Sequence, residues 1–411
     1  MNKKKIFNDP VYGFISISSE LIFDIVEHKF FQRLRRIKQL GLADYVYPGA
    51  HHTRFHHALG AMHLMGEALN SLRGKGTEIS HQEFESAQLA ILLHDIGHGP
   101  FSHALESSIL NNVPHEQLSL LIIQKLNEEY HGALEMALQM FQNKYERPFF
   151  HQLIASQLDI DRLDYLQRDC FFTGVSEGTI GAERIIKMLD IVNERLVVEE
   201  KGIYSIENFL NARRLMYWQV YLHKTSVAAE QMLILIFNRA KQLSIAGNTV
   251  FGSEELTYFL NQDIDIKDIK NDYKLLKSFA SIDDIDIWGA IKIWKNHDDQ
   301  ILSLLSKSLL DRRLFKITLQ NNDFDPAYIH DIAQNISLKY YLSKDEAQYL
   351  YSHGKVSNSA YFSKGQHINI KTKNGSVVDV ADASDLPNIK AISKIVKKYY
   401  LCCPKTLSLL D

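Results

Sequence analysis

The sequence predicts a mainly α protein, a large helical core followed by a smaller α+β lobe. Three observations predict it. Apolar residues recur at three-to-four spacing from about Leu21 to Leu243, with Gly and Pro scarce, as amphipathic helices require. The texture changes after about Asn248, where "NQDIDIKDIKNDY" is polar and acidic before helical spacing resumes from Trp288 to Leu310. Near the end, "HINIKTKNGSVVDVAD" alternates on both sides of Asn374-Gly375, a dipeptide that favours a type I′ hairpin turn. The chain is therefore divided into a core over 1–245 and a lobe over 246–411, for which an oligomer or regulatory role is the expectation.

The bulk composition bounds the function. With 411 residues, 45% hydrophobic and 23% charged, there is ample material for a core. The net charge of -3 provides no global basic field to hold long nucleic acid, so nucleic acid is not the expected partner. An anionic ligand must be met by a local cluster, and "FQRLRRIK" (Phe31–Lys38) is one. Three cysteines, Cys170, Cys402 and Cys403, make no disulfide framework and fit a reducing cytosol. The start "MNKKKIFNDPVYGFI" is basic, but Asn8, Asp9 and Pro10 interrupt any apolar run. A cytoplasmic protein without signal peptide or membrane span is expected.

Three stretches carry chemistry. In "HHTRFHHALGAMHLMGEALNSL", Thr53 is a reasonable N-cap for the helix that follows. Stepping ~100° per residue places His57 with Ala61, Leu64 and Ala68 in an apolar arc. Arg54 falls in the same arc one turn earlier, while His56, Gly60, His63 and Glu67 form a polar face expected to meet water. A lone inward histidine is ordinarily a hydrogen-bonded core residue. An inward arginine beside it argues otherwise, because a buried guanidinium costs several kcal/mol unless an anion or carboxylate meets it. In "LAILLHDIGHGPFSH", an apolar run leads into His94-Asp95, and Gly97, Gly99 and Pro100 end the helix about there. An Asp at the end of such a helix must be paired, bind metal or become neutral. In "LDIDRLDYLQRDC", Asp161, Tyr165 and Asp169 share one helix face. Arg162 and Arg168 could neutralise those carboxylates locally.

Together these stretches offer two imidazoles, His57 and His94, and two carboxylates, Asp95 and Asp161. This nitrogen–oxygen set suits a divalent ion such as Mn²⁺, Fe²⁺, Ni²⁺ or Zn²⁺, with open positions for water and a phosphate oxygen. No cysteine lies near the set, which excludes a thiolate site.

The order His57, His94-Asp95, Asp161 resembles the HD-domain phosphohydrolases. "FNDPVYG", "FQRLRRIKQLG", "PGAHHTRFHHALG", "HDIGHGPFSH", "PHEQ", "DIDRLDYLQRDC" and "YLHK" are similar, in order, to the deoxynucleoside triphosphate triphosphohydrolases. The resemblance runs from Lys5 to about Lys224 and thins after residue 250. It implies an HD-type helical core and hydrolysis of dNTP to deoxynucleoside and inorganic triphosphate. It implies that His57, His94, Asp95 and Asp161 hold the metal and that Arg54 contacts the phosphates. Mg²⁺ is a further candidate on the triphosphate. His115 with Glu116, His98 and His103 match active-site positions, and the proton donor is His103 or His115, with His103 preferred.

For the sugar, Gln39 and Asp169 match residues that hydrogen-bond the 3′-hydroxyl. Tyr165 and Tyr221 match aromatics that leave no room for a 2′-hydroxyl. Arg162, Arg213 and Lys224 match or replace basic positions around the triphosphate. Arg162 departs from the lysine of the SAM-domain-bearing members, which keeps the charge but changes the phosphate geometry. Lys5, Asn8, Gln32 and Arg35 match part of an intersubunit nucleotide-effector site. Glu27 stands there in place of a guanine-reading Asp. The resemblance implies a dNTP effector and a homo-oligomer, a tetramer before a hexamer. Competing readings are another HD nucleotide hydrolase, such as a 5′-nucleotidase or an alarmone or cyclic-nucleotide hydrolase, and a non-catalytic nucleotide sensor or single-stranded nucleic-acid binder. The sugar set argues against the former, and the intact ligand set against the latter.

Overall fold

The structure, a computed structural model, describes residues 5–17, 19–358, 367–384 and 396–405. It opens with an antiparallel hairpin of β1 (Lys5–Asp9) and β2 (Gly13–Ile17), in register Lys5↔Ile17 to Asp9↔Gly13. Asp9 Oδ1 accepts the Val11 and Tyr12 N–H groups at 2.9 and 3.0 Å and so carries the chain past Pro10. This hairpin is absent from the sequence expectation. Next come α1 (Glu20–Glu27), α2 (Lys29–Gln32) and a 3₁₀ turn over Arg33–Arg36.

The core is built on α3 (Arg54–Gly74), which packs against α4 (His81–Leu93) and α9 (Ile160–Thr173). Between α4 and α9 lie α5 (Ser102–Ile109), α6 (His115–Glu129), α7 (Glu135–Phe141) and α8 (Phe149–Ile154). A capping box starts α4: Ser80 N–H donates to Glu83 Oε2 at 2.7 Å, and Glu83 N–H donates to Ser80 Oγ at 3.1 Å. Asp159 caps α9 through the Arg162 N–H at 2.8 Å, and Gly174 (φ 73°) ends it.

Helix α3 is more enclosed than its sequence pattern suggests. His56 and His63, expected to face water, are both half-buried. His56 Nδ1 accepts the Thr53 N–H at 3.1 Å, completing the N-cap, and the His63 ring lies 5.4 Å from that of Tyr12. Gly60, also assigned to the polar face, is buried against α9. A Cβ there would fall 2.1 Å from both Asp164 Oδ1 and Arg168 Nη2, so glycine is what lets the two helices approach.

After α9 come α10 (Ala182–Met188), β3 (Leu189–Val192), β4 (Arg195–Glu199) and α11 (Ile203–Met216). A π turn over Tyr217–Tyr221 leads into the long α12 (Lys224–Ile245). Strands β3 and β4, also unanticipated, join through Asn193 and Glu194, both with positive φ (50° and 57°), inside the Val192↔Arg195 pair. This is type I′ turn geometry.

The acidic stretch after Asn248 is not a structureless break. It carries α13 (Glu254–Leu260), α14 (Ile266–Asn271) and α15 (Tyr273–Phe279), with Asp265 and Asp272 as N-caps. Helices α16 (Asp284–Trp294) and α17 (Gln300–Leu310) follow, then β5 (Lys316–Gln320), α18 (Pro326–Tyr340) and β6 (Ser352–Asn358). The expected hairpin is present as β7 (Asn369–Lys371) and β8 (Val377–Asp379), but its turn differs. Only Gly375 has positive φ (85°), Gly375 N–H donates to Thr372 O, and Thr372 N–H donates to Ser376 O, each at 2.9 Å. That is a type I turn closed by a glycine bulge rather than type I′.

The C-terminal region is tied into the core by its strands and by α12. β7 pairs parallel with β4 (Val198↔Ile370), giving the sheet order β3-β4-β7-β8. The last strand, β9 (Val396–Cys403), lies between β5 and β6. Helix α12 packs against α5, α17 and β5, so one apolar core runs through the described residues. The architecture is mainly α with a smaller α+β C-terminal region, as expected. No helix among the described residues is long and apolar enough to cross a membrane.

Candidate metal centre and active-site cleft

The start of α3, the end of α4 and the start of α9 meet at one point. His57 is fully buried, and its Nδ1 lies 2.7 Å from Asp164 Oδ2. His94 caps the C-terminus of α4, with Nδ1 2.6 Å from Ile91 O. A carbonyl and a carboxylate can only accept, so Nδ1 donates in both rings and Nε2 is the atom turned to the aspartates, free to bind an ion once its own proton is displaced. Both Nε2 atoms are buried and lack a hydrogen-bond partner among the described residues. Asp161 Oδ1 stands 3.1 Å from His57 Nε2 and 3.4 Å from His94 Nε2. Asp95 closes the set, with Oδ1 3.3 Å from His94 Nε2 and Oδ2 3.9 Å from His57 Nε2.

The field at this point favours a cation. Burial opposes charge on His57, but Asp161 and Asp164 outweigh it and push its pKa up to about 10. Burial likewise opposes charge on His94, yet Asp95 and Asp161 raise it. Burial would raise Asp161 and Asp95, but the facing imidazoles hold both below the usual carboxylate range, with Arg54 also acting on Asp95. Orphaned, buried Nε2 atoms facing carboxylates are what a divalent ion requires, so the donors present fit one.

The ligand candidates are backed by buried side chains, Asp164, which the sequence reading did not assign, and Arg168, which it read as a local neutraliser of the α9 carboxylates. Asp164 accepts from Arg168 Nε and Nη2 at 3.0 Å each, and Arg168 Nη1 donates to Asp9 Oδ2 at 2.7 Å. The charge run His57–Asp164–Arg168–Asp9 thus anchors α3 and α9 to β1. The signal was available: Asp164 and Arg168 are four apart, and they follow Asp161 at i+3 and i+7, on the same side of α9. Arg33, from the basic cluster expected to meet an anion, is instead buried, and its Nη2 donates to Ile96 O and His98 O at 2.9 and 2.7 Å. It holds the turn after Asp95.

Next to the metal candidates lies an imidazole cluster. Asp95 Oδ2 accepts from Arg54 Nη1 at 2.6 Å, and Oδ1 lies 3.3 Å from His98 Nε2. Arg54 Nε is buried without a partner. The His98 ring stacks on that of His115 at 3.7 Å, and its Nδ1 lies 2.6 Å from Ser102 Oγ. Burial and the nearby Arg54 charge hold the His98 pKa well below the usual histidine value. Glu106, unassigned from sequence, accepts the His115 N–H at 2.7 Å and lies 3.2 Å from its Nδ1. Glu116 Oε1 is 3.4 Å from His115 Nε2. His103 is on α5, but its side chain lies outside the described residues.

These groups open into a cleft of about 650 Å³ whose lining includes Gln39, Arg54, Asp95, Asp161, Arg162, Tyr165, Asp169 and Tyr221. Asp169 is held at both oxygens: Oδ1 lies 2.7 Å from His52 Nε2, and Oδ2 accepts the Tyr221 hydroxyl at 2.8 Å. His52 is buried and stacks on Phe172 at 4.5 Å. The Tyr165 and Tyr221 rings pack edge to face at 6.1 Å. The π turn delivers Tyr221, consistent with the frequent placement of such turns at functional sites. Phe101 lines the same cleft with a left-handed backbone (φ 48°), a strained geometry for a bulky residue. Arg162 donates through Nε to Ser156 O at 2.9 Å and lies 3.3 Å from Asp159. Arg213 and Lys224 do not line the cleft. Arg213 is buried with Nη1 on Gln157 Oε1 at 3.1 Å, and Lys224 is exposed at the start of α12.

The residues expected at an effector site, Lys5, Asn8, Glu27, Gln32 and Arg35, lie outside the cleft lining. Lys5 pairs with Glu27, Gln32 Oε1 accepts from Arg35 Nε at 2.9 Å, and the Arg35 guanidinium lies 3.6 Å from the Phe55 ring centre. Asn8 is exposed on β1, where strand alternation sets its side chain on the face opposite Lys5.

Comparison with known proteins agrees with this geometry. Residues 54–169 match the HD domain, and residues 180–264 match the HD associated region. A crystal structure of a phosphohydrolase from Bacteroides thetaiotaomicron superposes with a TM-score of 0.94 at 51% identity, covering 97% of this chain and 99% of that one. The protein YwfO of Bacillus subtilis is 33% identical over 77% of this chain and 72% of its own length. Human deoxynucleoside triphosphate triphosphohydrolase SAMHD1 is 30% identical over 57% of this chain and 44% of its own. The chain belongs to the HD-domain phosphohydrolase family.

Proposed function

We propose that this hydrolase is a metal-dependent dNTP triphosphohydrolase, which releases deoxynucleoside and intact inorganic triphosphate. One observation carries the reading. The donor set His57, His94, Asp95 and Asp161 reaches, through its two aspartates, the same cleft that an aromatic platform around Asp169 lines. The relatives named as deoxynucleoside triphosphate triphosphohydrolases support it. His57, His94, Asp95 and Asp161 would hold the ion, which when bound supplies Lewis-acid neutralisation of phosphate charge and lowers the pKa of water.

The chain's own residues do the rest. Arg54, with Nη1 tied to Asp95 and Nε left over, places a donor where a phosphate oxygen would sit. Water adds to the α-phosphorus, the bond to the 5′-oxygen breaks, and that oxygen takes a proton. His98 is neutral near pH 7, so the donor role passes to His103 or His115; Glu106 orients His115 for it. Tyr221 and Tyr165 pack where a 2′-hydroxyl would clash, and Asp169, fixed by His52 and Tyr221, accepts from the 3′-hydroxyl. A dNTP effector at the Lys5–Arg35 surface and a homotetramer belong to the same proposal.

Chromatography of products from each dNTP, alone and in pairs, with Mn²⁺ and with Mg²⁺, tests the reading. It expects triphosphate and deoxynucleoside in equal amounts, with no turnover of ribonucleotides. Pyrophosphate or orthophosphate as the only inorganic product contradicts it. A rate indifferent to every added nucleotide sinks the effector.

A further inference from the structure

The cleft has a wall that carries none of the ligand candidates. Helix α12 contributes Ser226 and Glu230, one turn apart, beside Leu40, Leu222, Phe101 and Ala104. The Glu230 carboxylate has no hydrogen bond or ion pair among the described residues. Burial alone raises its pKa to about 7. Ser226 Oγ is buried without a partner, and so is Gln39 Oε1 in the same cleft. Glu230 is half-buried, and an unpaired carboxylate taken partly out of water is unfavourable unless a ligand supplies the missing donors.

The triphosphate end and the sugar platform are already accounted for by Arg54, the metal candidates and Asp169. The part of a nucleotide left to meet Leu40, Leu222 and Glu230 is the base, whose faces are apolar and whose edge is polar. We propose that Glu230, with Ser226, is the base-reading group of this cleft and selects guanine; the proposal rests on the dNTP reading above. A carboxylate offers two adjacent acceptors. Of the four bases, guanine alone presents two adjacent donors, its ring N1–H and its exocyclic amino group. Adenine and cytosine set one amino donor beside a ring acceptor, and thymine sets its single N–H between two carbonyls. The carboxylate therefore pairs twice with guanine and repels thymine.

The test is kcat/KM for all four dNTPs, by triphosphate release, in the wild type, Glu230→Gln and Glu230→Asp, with thermal melts as a folding control. Glu230→Gln keeps the shape and exchanges one acceptor for a donor. The expected result is a wild type that prefers dGTP to dTTP. That ratio falls by about tenfold or more in Glu230→Gln, the worth of one bidentate pair, with no drop in melting temperature. Glu230→Asp, which keeps the charge, retains the order of preference. An unchanged ratio in Glu230→Gln, or a loss shared equally by all four substrates, overturns the assignment while leaving the reaction standing. Absence of triphosphate release from every dNTP in the wild type overturns the reaction itself.

Discussion

The two ends of the cleft are built in opposite ways. At the metal end the functional side chains have buried partners behind them: Asp164 and Arg168 behind His57, Ile91 O behind His94, Arg54 on Asp95. On the α12 wall, Ser226 and Glu230 have no hydrogen-bond partner among the described residues. Orientation at the first end is fixed before any ligand arrives, as a centre that must stabilise developing charge requires. At the second end the polar groups are completed only by a ligand, which is how a surface discriminates. On the proposed reading, turnover and base selection rest on separate groups of residues.

Changes at the metal end break the comparison most strongly. His94→Ala or Asp95→Ala removes several kcal/mol of charge stabilisation, so turnover falls on the order of 10³-fold, with metal content by atomic emission falling in parallel. A variant that keeps its metal and its rate contradicts the ligand assignment. Gly60→Ala drives a Cβ into the Asp164–Arg168 pair and is expected to destabilise the fold by about 3 kcal/mol in urea titrations. Stability within 0.5 kcal/mol of wild type, on the order of a neutral surface change, shows the two helices free to separate. Asp164→Asn keeps the shape but loses the charge behind His57. A metal affinity about 10–100-fold weaker is expected by calorimetric titration, and an unchanged affinity removes Asp164 from the support.

The smallest effect sharpens the other end. The folded-state pKa of Glu230, about 7, lies above its ordinary 4.5, so the folded protein holds that proton more tightly than the unfolded chain. Stability owed to the protonated form is complete below 4.5 and is lost as the pH rises through about 7. Glu230→Gln removes this loss. Denaturation of the two proteins across this range is expected to show the variant gaining on wild type between pH 4.5 and 7, with the gain constant above. A difference that does not vary with pH shows that partial burial does not raise the Glu230 carboxylate.

Much of the metal end was legible in the sequence, because helical register acts over a few residues. Stepping around α3 set His57 and Arg54 inward, and an apolar run into His94-Asp95 required a partner for the aspartate. The structure brings these side chains together with Asp161. Long-range partners were not legible. Asp164 meets His57 across 107 positions, and Arg168 meets Asp9 across 159. The strand pairing of β4 with β7 is similarly distant, so the four-stranded sheet could not be assembled from local alternation. The turn types were exchanged for a local reason: Asn-Glu took the left-handed pair of angles, and Asn-Gly needed only one. Glu230 sits on a helix that reads as ordinary amphipathic core, and nothing in α12 alone says that a cleft lies beside it.

The proposed function turns on attack at the α-phosphorus within the metal end of the cleft. Hydrolysis of dGTP in ¹⁸O-labelled water, followed by mass spectrometry of the products, tests it most directly. A single label is expected in inorganic triphosphate and none in deoxyguanosine, with both products reduced on the order of 10³-fold in Asp95→Ala. Label in orthophosphate or pyrophosphate, or in the 5′-hydroxyl of the nucleoside, would contradict it.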